Sequence, residues 1–124
     1  MGKKEDAEIV LTDLSKSEEI LACMLSRKDF GGIFPKEIKV KDANFWNNVK
    51  NSTSQIFPVI EKFMIYKISR LYFELGDYTI IFAPVNQTYS LISVIPALAN
   101  MGLIDVEIEN AKRKILTIME SKGE

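Results

Sequence analysis

The side chains of this chain change their repeat sharply, near its middle. Phe45, Trp46, Val49, Thr53, Ile56, Ile60 and Phe63 recur at steps of three and four residues, the period of a helix with one buried face. From Met64 the repeat is two: Ile65, Lys67, Ser69, Leu71 and Phe73 alternate with Tyr66, Ile68, Arg70, Tyr72 and Glu74, as along a strand. One kind of element cannot satisfy both stretches. A helix must pass directly into a sheet, and the expected class is α+β.

The other elements follow from that junction. Downstream, Gly76-Asp77 suits a tight hairpin turn, YTIIFAPV reads as a strand, NQT as a turn and YSLISVI as a central strand. Two successive hairpins make an antiparallel meander. The stripe Ile104, Ile108, Ala111, Ile115 and Ile118 then predicts a last helix, with Asn100 as its N-cap and acids preceding bases along it, the order the helix dipole favours. Upstream, Asp42 is the N-cap expected for the middle helix. EEILACMLS, RKDFGG and IFPKEI read as a hairpin whose second strand Pro35 confines to an edge or ends early. Residues 5–16, with Ile9, Val10 and Leu14, predict a short first helix, and residues 1–4 and 121–124 are expected as flexible tails around one domain spanning 5–120. The length suits one domain with one core. The order is α-β-β-α-β-β-β-α, a five-stranded antiparallel sheet with helices on its faces.

This order resembles the Roadblock/dynein light-chain family, a profilin-like architecture. RLYFELGDYTIIFAPV, YSLISVI and ANMGLIDVEIENAKRKI carry the resemblance, with ILACMLSRKDFGGIF similar to the family's first hairpin. The resemblance implies a homodimer, or a heterodimer with a related Roadblock subunit. In the family the third strands pair across a two-fold axis, the second helices share one face, and the first and third helices cover the other. Members act as adaptors and regulators of small Ras-like GTPases, as dynein-associated light chains and as scaffold subunits. A structural light chain or assembly subunit that touches no GTPase is an alternative, as is a profilin-like small-ligand sensor, although no convergent polar cluster marks a pocket.

Two stretches bear on pairing without reference to the family. IYKISRLYFEL is long, β-prone and amphipathic, and a bare edge of that kind is an aggregation hazard unless paired, covered or guarded by charges such as Lys67 and Arg70. In the middle helix, residues 47–55 read NNVKNSTSQ, and Lys50 is the only charged residue between Ala43 and Ile60. Asn, Ser and Thr are poor helix formers for a solvated face, whereas interface centres are depleted of Lys and Glu. The plain alternative is a solvated face that happens to lack charge. The expected dimer-interface residues are Ile68, Arg70 and Tyr72 with Asn51, Ser54 and Pro58. The expected partner-binding residues are Asn44, Asn47, Asn48 and Gln55. Pro58 cannot donate to the Ser54 carbonyl, so a kink or break is expected there.

The chain offers little chemistry. It has no histidine, and its net charge of −1 argues against a dedicated nucleic-acid binder. Tyr66, Tyr72 and Phe73 lack the spacing of an RNA-binding sheet and read as core and interface aromatics. The glycines form no P-loop. Cys23 is the only cysteine and reads as a buried thiol. Glu18-Glu19 and Glu107-Glu109 do not share a helix face. Arg27, Arg70 and Arg113 each have an ordinary structural role, so none is assigned as an arginine finger. No metal, cofactor or catalytic residue is expected. Asp6 breaks the pattern for myristoylation at Gly2, no stretch has the form of a secretory signal or a membrane span, and cytoplasmic residence is the expectation.

Overall fold

The computed structural model describes residues 2–28 and 31–121. Helix α1 (Lys3–Ser15) leads into strands β1 (Ala22–Arg27) and β2 (Gly32–Ile33), then helix α2 (Ala43–Phe63) and a 3-10 turn (Met64–Tyr66). Strands β3 (Leu71–Leu75), β4 (Tyr78–Pro84) and β5 (Tyr89–Pro96) follow, and helix α3 (Met101–Glu120) closes the chain. The strands form one antiparallel sheet in the order β2-β1-β5-β4-β3, so β2 and β3 are its two edges.

The alternation of strand side chains divides the core in two. Cys23, Leu25, Ile81, Ala83, Leu91 and Ile95 point to one face, where Leu11 and Leu14 of α1 and Ile104, Ile108 and Ile115 of α3 cover them. Met24, Ile80, Phe82, Ile92 and Val94 point to the other, beneath Trp46, Val49 and Ile60 of α2. Leu71 and Phe73 of β3 join the α2 side, and Phe73 meets Phe82 edge-on at 5.3 Å between ring centres.

The expected caps are present. The Asp42 carboxylate accepts from the Phe45 N–H at 3.0 Å, and the Asn100 amide oxygen from the Leu103 N–H at 3.2 Å. Gly76, at φ +47°, supplies the left-handed residue of the two-residue β3–β4 turn. Asn86 closes the β4–β5 turn by accepting from the N–H groups of Thr88 and Tyr89, both at 2.9 Å. Pro35 follows a second strand of only two residues at an edge, as expected.

Four expectations change. Helix α1 starts at Lys3 rather than residue 5. Of the kink or break expected at Pro58, the break is absent: α2 is one helix of 21 residues that runs through it. An interior proline costs ~3 kcal/mol, but Pro58 is exposed, while Phe57 and Ile60 beside it are buried and each contributes about 1.5–3 kcal/mol. The strand expected from Ile65 begins only at Leu71. Lys67 adopts a left-handed conformation (φ 61°, ψ 42°), its N–H bonds the Met64 carbonyl (2.9 Å), and Ile68 N–H bonds the Phe63 carbonyl (3.4 Å). This is a Schellman closure with lysine where glycine is usual, and it satisfies the helical carbonyls that an immediate strand would leave open. Ile68 and Arg70 therefore precede β3 rather than lying within it. Within the expected tails, Lys3 and Lys4 are helical, whereas residues 1 and 122–124 lie outside the described residues.

Candidate protein-protein interface

Beneath α2 the sheet is fully covered, but the helix is narrower than the sheet and leaves a groove along each flank. The groove toward β3, about 340 Å³, is lined by Phe45, Asn48, Ser52, Gln55 and Ile56 of the helix with Phe73 and Leu75 of the strand. It runs beside an edge strand whose described backbone pairs only with β4. Beyond Gln55 the same region leads to Val59, Phe63, Ile65 and Tyr66, all large and exposed, Ile65 to 79% and Tyr66 to 73%. The groove toward β2, about 390 Å³, is lined by Asn47, Lys50 and Asn51 with Met24, Gly32 and Phe34.

The asparagine face of α2 is thus split between two surfaces. Asn48 and Gln55 look toward β3, and Asn47 and Asn51 toward β2. Pro58 borders a third cleft with Met64, Ile65 and Gln87. Asn44 is exposed on the first turn. Ser54 is half-buried and turns its hydroxyl back to the Asn51 carbonyl (3.2 Å), while Ser52 and Thr53 do the same to Asn48 (2.7 Å) and Lys50 (2.8 Å). Three consecutive hydroxyls satisfied within the helix leave this face less thirsty for water than its composition implies.

The strand residues divide as well. Tyr72 is exposed, opposite Ile81 on the α3 side of the sheet. Ile68 is half-buried. Arg70 folds onto α3, where its guanidinium bonds the Asp105 carboxylate, the Asp105 carbonyl (3.2 Å) and the Glu109 carboxylate (2.8 Å). Only 9% of that side chain stays exposed, so the guanidinium is committed within its own chain. The hydrogen bond from Arg70 holds the Glu109 carboxyl below its usual range, and the charge of Lys112 adds to this against the effect of burial. Phe34, Val59, Phe63 and Leu75 belong to the exposed surface but were absent from the sequence-based set. Helical spacing placed Phe63 on the buried stripe and assigned the other three to no surface, and only the position of each element shows that they are exposed.

Of the remaining chemical candidates, Cys23, Glu19 and Glu107 have structural partners. Cys23 is buried, with its thiol 3.5 Å from the Leu11 carbonyl, and burial pushes its pKa up to about 12. Glu107 accepts from the Ser17 hydroxyl (2.8 Å), and Glu19 from the Asn100 N–H (2.7 Å). Among the described residues, no group of three or more His, Cys, Asp or Glu side chains could hold a metal ion, and no helix is long and apolar enough to cross a membrane.

An edge strand beside a helix groove, with two helices behind the sheet, is the arrangement of the Roadblock/LC7 domain. The structure is similar to that of Myxococcus xanthus MglB, with a TM-score of 0.78 and 14% identity over 94% of this chain and 96% of that one. It is also similar to a Roadblock/LC7 domain from Streptomyces avermitilis (0.71; 10% identity; 92% and 98% covered). A third similar structure is MglC from Myxococcus xanthus (0.68; 16% identity; 90% and 98% covered). The chain belongs to the AF0774-like protein family, whose match spans residues 4–109. No curated protein matches the sequence.

Proposed function

We propose that this protein is a non-catalytic cytoplasmic adaptor that pairs through β3, with itself or a related Roadblock subunit, and that the pair binds and regulates a small Ras-like GTPase. The observation that carries the pairing is the coincidence of an unpaired strand edge and an apolar groove on one side of the molecule. A second β3 laid antiparallel to the first would extend the sheet and bring the α2 flanks of Asn48, Ser52 and Gln55 together over Phe73 and Leu75. Uncharged side chains there avoid the desolvation that Lys or Glu would incur. A tetrameric arrangement solved for an MglB, whose structure is similar to this one (TM-score 0.76, 12% identity), supports self-association.

The GTPase half of the reading rests on the Roadblock class, whose members include regulators of such enzymes. It requires no reactive group from this chain, because a partner acts on a GTPase by holding its switch loops, which takes a surface. The test has two arms. Solution mass should be that of a dimer for the wild type and of a monomer for Tyr72→Glu combined with Leu75→Glu; a monomeric wild type refutes the pairing. Immobilised dimer should retain a small GTPase from lysate of its own source in one nucleotide state, GDP or GTP analogue, over the other. Retention of none in either state turns the reading toward a purely structural subunit.

A further inference from the structure

We infer that the groove between β2 and α2 receives an extended, acidic segment of a partner protein. It lies at the sheet edge opposite β3, so the inference does not require pairing through β3. Charge is the first ground. Residues 27–50 carry six cations (Arg27, Lys28, Lys36, Lys39, Lys41, Lys50) and three anions (Asp29, Glu37, Asp42), a net of +3 within a chain of net −1. The rest of the chain is therefore −4; within the window Lys28 pairs with Glu61 of α2 and the Lys39 ammonium bonds the Ser17 carbonyl, while Lys50 lines the groove beside β2. On the other face of the same edge, Lys3, Lys4 and Arg27 line a second cavity of about 310 Å³ that also reaches Gly32.

The groove itself is the second ground. Lys50 stands over the rings of Phe34 and Trp46, 5.8 and 6.0 Å from their centres. These contacts hold its ammonium in place rather than leaving it to sweep through solvent, so less entropy is lost when it meets a carboxylate. Asn47 and Asn51 add amide groups one helical turn apart, each able to donate and accept.

The strand edge is the third ground. The Arg27 N–H bonds the Gly31 carbonyl at 2.9 Å, so Gly31 faces β1, and by alternation Gly32 turns its own N–H and C=O away from β1. Gly32 has no side chain to shield them. A two-residue strand anchors only a short stretch of added chain, so side-chain contacts must supply most of the affinity. An added strand would direct alternate side chains to the two faces of the edge, toward Lys50 on one and toward the cavity of Lys3, Lys4 and Arg27 on the other.

The experiment titrates the ¹⁵N-labelled full-length protein with a synthetic seven-residue peptide of alternating Glu and Val. A Lys/Val peptide, a single-stranded oligonucleotide and anionic phospholipid vesicles are the comparisons. The expected result is chemical-shift change concentrated at Gly32, Phe34, Lys50 and the side-chain amides of Asn47 and Asn51, for the acidic peptide alone. Lys50→Gln should weaken binding about tenfold, roughly 1.4 kcal/mol, and Lys50→Arg should preserve it. Lys62→Glu, also on exposed α2 surface, should leave it unchanged. Any of three outcomes overturns the inference: no shifts at these residues with millimolar peptide, equal weakening by Lys62→Glu, or tighter binding of the oligonucleotide or vesicles at the same residues.

Discussion

Arg70 shows that the direction of a pair's dependence matters more than its existence. Its guanidinium is almost wholly covered, whereas the two carboxylates it bonds are about half exposed. Removing the arginine leaves two acids that water can solvate. Removing both acids leaves a buried cation with no counter-charge, a loss on the order of 3–5 kcal/mol. Denaturant unfolding should therefore show Arg70→Met to be clearly less damaging than Asp105→Ala with Glu109→Ala. Glu109 also has a pH signature. A carboxyl held low in the folded state contributes stability above its unfolded value, and that contribution disappears as pH falls through the folded one. The stability difference between wild type and Glu109→Gln should accordingly shrink on the acid side and stay flat at neutral pH. Cys23 has the opposite sense. Its thiol remains protonated in the fold up to about 12, while an unfolded thiol ionises near 9.0, so stability is lost as pH rises between these values. From pH 8 to pH 10 the wild type should lose about 1.4 kcal/mol more than Cys23→Ala.

The helix-to-sheet junction is where sequence and structure part. Alternation from Ile65 to Phe73 read as one long strand, and the caps, the meander, an edge or early-ending second strand and the last helix all followed from local residue patterns. The first half of that alternation is instead spent on finishing α2. Nothing in the residue types announces the Schellman closure, because its left-handed position holds lysine and not glycine. A non-glycine residue in that conformation costs roughly 1–2 kcal/mol. Lys67→Gly should therefore raise stability by about 1 kcal/mol in thermal or urea unfolding, offset in part by the greater freedom of glycine when unfolded. No gain would mean that surrounding contacts, rather than the backbone, hold the turn. The candidate grooves on α2 were legible only in part. The scarcity of charge on α2 marked the helix, but helical spacing alone does not tell which flank looks toward which edge. Asn47 and Asn48 are neighbours in sequence and line different grooves. That division depends on the sheet order, which sets β2 and β3 at opposite ends.

The sheet order also determines how the two edges relate. Between β3 and β2 stand β4, β5 and β1, and strands lie about 4.8 Å apart, so the edges are separated by roughly 19 Å. The two grooves flank one helix but share no lining side chain, and the strand edges are that far apart, so substitutions at Lys50 and at Tyr72 with Leu75 are expected to act additively. Self-pairing at β3 would leave the β2 groove of each copy open, and a two-fold axis at β3 would place the two grooves at the outer ends of one continuous sheet. Each dimer would then present two copies of the β2 surface, facing apart and each available to one partner. The independence can be measured. Lys50→Gln should leave the solution mass of the dimer unchanged, and Tyr72→Glu with Leu75→Glu should leave the affinity of each chain for the Glu/Val peptide within about twofold. A peptide affinity that falls with the dimer would show that the second copy completes the β2 site, and a dimer lost with Lys50 would place that residue in the self-interface. Peptide stoichiometry by calorimetry adds a direct count: one per chain is expected in both dimer and monomer, whereas one per dimer would mean that occupying one edge closes the other.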